Sequence, residues 1–120
     1  MKANLAIALN DTDYQIAKVF LDSLVQHFDS QLAVVILFGS RARGEANPNS
    51  DMDFVVVLDD STIEKQREVR YLAAETWLEY GVYISARVWS FDHWQKLGKM
   101  QTLLYQNIQR DGVKLLGLAA

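Results

Sequence analysis

Two carboxylates, Asp51 and Asp53, are separated by one residue and follow closely on the stretch Gly39-Ser40-Arg41-Ala42-Arg43-Gly44. In an extended chain successive side chains alternate between faces, so both acids project from one face with Cα atoms about 6.5–7 Å apart. They share a site. Two negative charges that close repel unless a cation compensates them, and hard oxygen donors select Mg²⁺ or Mn²⁺ over zinc. The glycine-serine turn adds an anion site, because Gly39 lets the backbone approach closely and Ser40 offers a hydroxyl beside backbone N–H groups. Phosphate is the natural anion. Gly44 permits a second tight backbone position, and Arg41 and Arg43 bring local positive charge to an otherwise acidic chain.

The elements that position these residues are written in the apolar pattern. Ile16, Ala17, Phe20, Leu21, Leu24, Val25 and Phe28 recur at helical spacing over residues 11–29, with Asp11 or Thr12 as the N-cap. Residues 32–38 form a continuous aliphatic run ending at Gly39, and residues 54–58 form a second; both suit strands buried on two faces. Asp59-Asp60-Ser61 leaves the second strand and caps a helix over residues 62–80, with Val69, Leu72, Ala73, Thr76 and Trp77 on one stripe and Gly81 at its end. A third strand follows at residues 82–89. Ser90 or Asp92 then opens a helical C-terminal third that Asp111-Gly112 closes. The expected fold is α/β of the α+β type, a small mixed sheet flanked by helices that presents Asp51 and Asp53 on an exposed face. Pro48 marks a turn over residues 47–50, between the glycines and the carboxylates.

Composition sets the outer limits. The 120 residues are half hydrophobic and carry a formal net charge of -3, which predicts one domain over residues 1–120 and argues against binding long nucleic acid by a basic field. There is no cysteine, hence no disulfide framework and no thiolate zinc site. Neither a secretory leader nor an apolar run long enough to span a bilayer is evident, so a cytoplasmic location is expected. His27 and His93 lack partners at metal-ligand spacing and read as surface or packed residues. The tryptophans and tyrosines fall at helix and strand positions and read as core or interface rather than stacking platforms.

Gly39-Ser40-x-Ala42-Arg43-Gly44 followed by Ser50-Asp51-x-Asp53 resembles the signature of the minimal nucleotidyltransferases, within the DNA polymerase β-like nucleotidyltransferase superfamily. The stretch Leu104-Tyr105-Gln106-Asn107-Ile108-Gln109-Arg110-Asp111-Gly112 is similar to endings of small bacterial members, many of which resemble antitoxins paired with HEPN-domain toxins. The resemblance implies a metal-dependent transfer of AMP from ATP to a tyrosine of a HEPN partner, in a hetero-oligomer with that toxin or a homo-oligomer. Asp51 and Asp53 would be the catalytic metal ligands, and Gly39, Ser40, Arg43 and Ser50 would bind the nucleotide. The chain departs from the family pattern at one point. Active members generally carry a third carboxylate on the following strand, and residues 82–89 contain none; Ser85 in that slot, Asp92, Glu79 or a partner chain are the alternatives. That departure supports a second reading, a binding module that neutralises its toxin by forming a complex. An RNA or antibiotic nucleotidyltransferase is the less expected reading, since 120 residues are not expected to include a separate domain for tRNA or a drug.

Overall fold

The computed structural model describes residues 11–44 and 49–117. Helix α1, Asp11–Phe28, forms because its apolar residues recur on one stripe, and Ile16, Ala17, Phe20, Leu24 and Phe28 are buried along it. A 3-10 turn, Asp29–Gln31, leads into strand β1, Leu32–Phe38. Beyond Gly39 come the single-turn helix α2, Ser40–Arg43, strand β2, Met52–Leu58, and helix α3, Ile63–Tyr80. Strand β3, Ile84–Ser90, helices α4, Phe91–Met100, and α5, Leu103–Asp111, and strand β4, Val113–Leu116, complete the order.

The four strands make one sheet in the order β3-β2-β1-β4. β1 pairs antiparallel with both β2 and β4, whereas β2 and β3 run parallel. A parallel neighbour needs a crossover, and α3 supplies it. β1 and β2 are central and covered on both faces, which is why β1 and residues 54–58 of β2 are continuous apolar runs rather than alternating ones. On one face α1 and α3 pack against Phe54, Val56 and Leu58, with Phe20 edge-on to Phe54 at 4.8 Å between ring centres. On the other, Ile108, Trp94 and Leu104 from α4 and α5 cover Val34, Ile36, Val55 and Val57. Among the described residues no helix is long and apolar enough to cross a membrane.

The mixed α+β architecture follows the sequence expectation, with differences at the element ends. Asp11 and Thr12 lie within α1, so neither is its N-cap. Thr62, not Asp59-Asp60-Ser61, caps α3, its hydroxyl accepting from the Lys65 N–H at 3.2 Å. Asp59 and Asp60 instead hold the Lys65 ammonium, each at 2.9 Å. Trp77 turns away from the buried stripe of α3 and is 42% exposed. The C-terminal third divides at Gln101, whose φ of 52° ends α4, and Thr102 caps α5. β4 was not anticipated. Its four residues follow a helix directly, and a strand that short leaves little periodicity to read. The turn expected at residues 47–50 lies partly outside the described residues.

Candidate active site

The site forms where β1 ends and β2 begins. Antiparallel pairing sets Phe38 opposite Asp53, so the turn at Gly39 arrives beside that carboxylate. Gly39 takes φ 80° and ψ -161°, a conformation that L side chains rarely adopt, and a Cβ placed on it would stand 2.7 Å from Asp53 Oδ2. Only glycine fits. Gly39→Ala is therefore expected to cost about 1–3 kcal/mol of stability in a thermal melt and to displace the Asp53 carboxylate from the turn. Ser40 opens α2, which is held to the turn by the Arg43 N–H donating to the Gly39 carbonyl at 3.2 Å.

Alternation along β2 puts Asp53 on the same face as Val55 and Val57, while Met52 is buried on the other. Asp51 stands just before the strand and is exposed; Asp53 is half-buried. Burial pushes the Asp53 carboxyl above its ordinary range, the Asp51 charge pushes it further, and the Arg87 guanidinium pulls it partly back. Two neighbouring carboxylates, one of them partly desolvated, are what a divalent cation would relieve. With the Ser85 hydroxyl the donors are all oxygen, which fits Mg²⁺ or Mn²⁺ with phosphate or water completing the shell. Among the described residues no group of three or more histidine, cysteine or acidic side chains is placed to hold a metal.

The alternatives for the third slot separate once the register is known. Ser85 is the register partner of Asp53 across the parallel β2–β3 pair. Asp92 lies past the far end of β3, in the first turn of α4, where it pairs with Lys96 at 3.1 Å. Glu79 is exposed near the end of α3. Arg87, two residues beyond Ser85 on the same face, was missed by sequence reasoning; the alternation would have found it once Ser85 was set opposite Asp53.

Arg41 behaves differently from the sequence expectation. It is 7% exposed, its Nη1 donates to Asp13 Oδ1 at 2.7 Å, and its Nε donates to the Ser50 carbonyl at 2.8 Å. Its charge is spent on Asp13, so Arg41 braces the loop between α2 and β2 against α1 and does not serve as free positive charge. Arg43 is exposed and Ser50 half-buried, at the two ends of that loop, of which residues 45–48 are outside the described set. His27 pairs with Glu68 at 3.1 Å, and His93 packs edge-on to Trp89.

A family model described as a nucleotidyltransferase domain matches residues 17–115, a span that holds the glycine turn, both carboxylates and all four strands. The chain belongs to the nucleotidyltransferase domain family. This nucleotidyltransferase is 32% identical over 98 residues to a Methanocaldococcus jannaschii protein that carries the provisional name protein adenylyltransferase, a match covering 79% of this chain and 89% of the relative. A second protein of that organism with the same provisional name is 38% identical over 69 residues, 55% of this chain and 47% of the relative. Among solved structures, a toxin–antitoxin complex with AMP-PNP aligns with a TM-score of 0.58 at 21% identity, over 91% of this chain and 75% of that one. A Shewanella oneidensis complex of a tri-AMPylated HEPN toxin with an MNT antitoxin aligns with a TM-score of 0.53 at 19% identity, over 89% and 73%. Those likenesses establish the nucleotidyltransferase fold.

Proposed function

We propose that this nucleotidyltransferase transfers AMP from ATP to a tyrosine of a HEPN-type toxin and thereby acts as its antitoxin. The observation that carries the reading is the apposition of the Gly39 backbone to the Asp53 carboxylate, which sets an anion-accepting turn against a cation-demanding acid pair. A triphosphate with its divalent counter-ion satisfies both. The provisional names of the curated relatives and the AMPylated toxin in the structural neighbour support the choice of AMP and of a protein acceptor.

In the reaction the tyrosine oxygen forms a bond to the α-phosphorus, the bond from that phosphorus to the bridging oxygen breaks, and pyrophosphate leaves. The phenolic proton passes to solvent or to a carboxylate. Gly39 and Ser40 would hold the departing phosphates, with Arg43 and Ser50 flanking them, and Asp51 and Asp53 would hold the cation. A bound Mg²⁺ or Mn²⁺ supplies charge neutralisation on the triphosphate. The chain's own contribution is to fix these groups in place.

A second reading, neutralisation by complex formation alone, is favoured by one observation: the residue in register with Asp53 is a serine, which brings no charge. One experiment separates the two. Purified protein, a HEPN partner and Mg²⁺-ATP are incubated and the partner is analysed by mass spectrometry. A mass increase of one AMP, absent with Asp53→Asn and faster with Ser85→Asp, is the expected result. An unmodified partner inhibited stoichiometrically in a stable complex would leave only the binding reading.

A further inference from the structure

An in-line displacement places the incoming oxygen and the departing pyrophosphate on opposite sides of the α-phosphorus. On the reading above, pyrophosphate leaves toward Gly39 and Ser40, at the end of β1. Across the sheet from β1, past Asp53, lies β3, an edge strand of the sheet. The acceptor must arrive from that edge. A cleft of about 370 Å³ lies there, between α3 and the start of β3, with Arg70, Trp77, Tyr83 and Ser85 in its lining. Ser85 borders that cleft and is also the register partner of Asp53; the cleft is on the α3 side of the sheet and the Asp53 carboxylate on the other, so the edge of β3 is what the two have in common.

The edge itself is suited to receive a peptide. The Met52 N–H donates to the Tyr83 carbonyl at 3.0 Å, which fixes the alternation: Tyr83, Ser85 and Arg87 direct backbone groups to β2, and Ile84, Ala86 and Val88 direct theirs outward. The outward row has no strand partner among the described residues. Trp77 and Tyr83 meet edge-on at 5.2 Å between ring centres and remain 42% and 49% exposed, an apolar and aromatic wall beside the row. Two exposed cations belong to this region, Arg70 in the cleft lining and Arg87 on the strand. Their sign selects an acidic segment.

We infer that the open edge of β3 and the Arg70–Trp77–Tyr83 cleft form the docking site for the acceptor protein, which adds an extended, acidic, tyrosine-bearing segment as a further strand. This rests on the nucleotidyl-transfer reading. Pairing with β3 sets the segment about 4.8 Å from that strand, and a side chain opposite Ser85 then shares a face with Asp53. A tyrosine at that position presents its hydroxyl from the side away from Gly39.

The test uses the full chain and a short synthetic peptide with a central tyrosine flanked by valine and glutamate. Saturable binding is expected, with slowed hydrogen exchange at the Ala86 and Val88 amides. Arg70→Glu is expected to weaken that binding by about tenfold or more, while Mg²⁺-ATP affinity and the melting temperature stay as in wild type. Asp53→Asn is expected to keep peptide binding, and wild-type protein that binds the peptide this way yet transfers no AMP with Mg²⁺-ATP would defeat the transfer reading and leave the docking site standing. The inference is overturned by failure of the peptide to bind, by protection confined to other strands, or by peptide binding indifferent to Arg70→Glu. It is equally overturned if Arg70→Glu abolishes Mg²⁺-ATP binding, which would give the cleft to the nucleotide. Protection of Ala86 and Val88 that rises with protein concentration alone would give the edge to a second copy of the chain.

Discussion

Asp13→Ala is expected to lower folding stability by about 3–5 kcal/mol, because it leaves the Arg41 guanidinium buried without its carboxylate. The pair is closed at 2.7 Å, with Asp13 4% and Arg41 7% exposed, so neither group can recover its hydration without local unfolding. For a domain of this size the loss corresponds to a fall in melting temperature on the order of 10 °C or more, read by calorimetry. The double variant Asp13→Leu with Arg41→Met removes both charges and should regain most of the loss, since an apolar pair of similar volume avoids the desolvation cost. It should not regain nucleotide binding in full. Arg41 also holds the Ser50 carbonyl, next to Asp51, and methionine offers no donor to replace that hydrogen bond.

Asp53→Asn should move stability and activity in opposite directions. Burial first, and the neighbouring Asp51 second, raise the Asp53 carboxyl, so the folded state favours its protonated form. That preference contributes stability below the unfolded-state value and is lost as pH rises through the folded one, leaving an ionised, partly buried carboxylate that costs stability at neutral pH. Asparagine removes the cost. Discounted for solvent screening, the gain is about 0.2–1 kcal/mol, or roughly 1–5 °C in the melt of the ligand-free protein. The gap should close as pH falls through the raised Asp53 value toward the ordinary 3.8. With Mg²⁺ and ATP the order reverses, because a ligand present at about a hundred times its Kd stabilises wild type by about 2.7 kcal/mol and the variant gains little. AMP transfer should fall by about a hundredfold or more. Equal ligand-induced shifts in the two proteins would show that Asp53 does not hold the cation.

Much of this could be read in the sequence because burial on both faces writes a strand as an uninterrupted apolar run, as at Leu32–Phe38 and over residues 54–58 of β2. The candidate site was legible for a similar reason: Gly39, Asp51 and Asp53 are close in sequence, so turn and strand geometry bring the Gly39 backbone against Asp53, with Asp51 close by. Arg41 was not, since the group that neutralises it is on a helix 28 positions earlier. A signal was present, however: Asp13 falls on the buried stripe of α1 with Ile16, Ala17 and Phe20, and an acid there demands a partner. The choice among Ser85, Asp92 and Glu79 depended on the β2–β3 register, which no local pattern in β3 specifies. β4 is held mainly by pairing with β1 from the other end of the chain, so its own residues say little.

That last pairing has a consequence for how the protein is made. Val35 and Leu116 are partners, and 116 - 35 places them 81 positions apart. At a synthesis rate of roughly 5–20 residues per second, about 4–16 s pass between their additions to the nascent chain. Throughout that interval β1 has a long aliphatic edge that its own polypeptide has not yet supplied the means to cover, the kind of edge that recruits stray strands. Ribosomes that stall or terminate before Val113 would leave it uncovered for good, so incomplete products of this chain should precipitate or be degraded rather than compete with finished molecules.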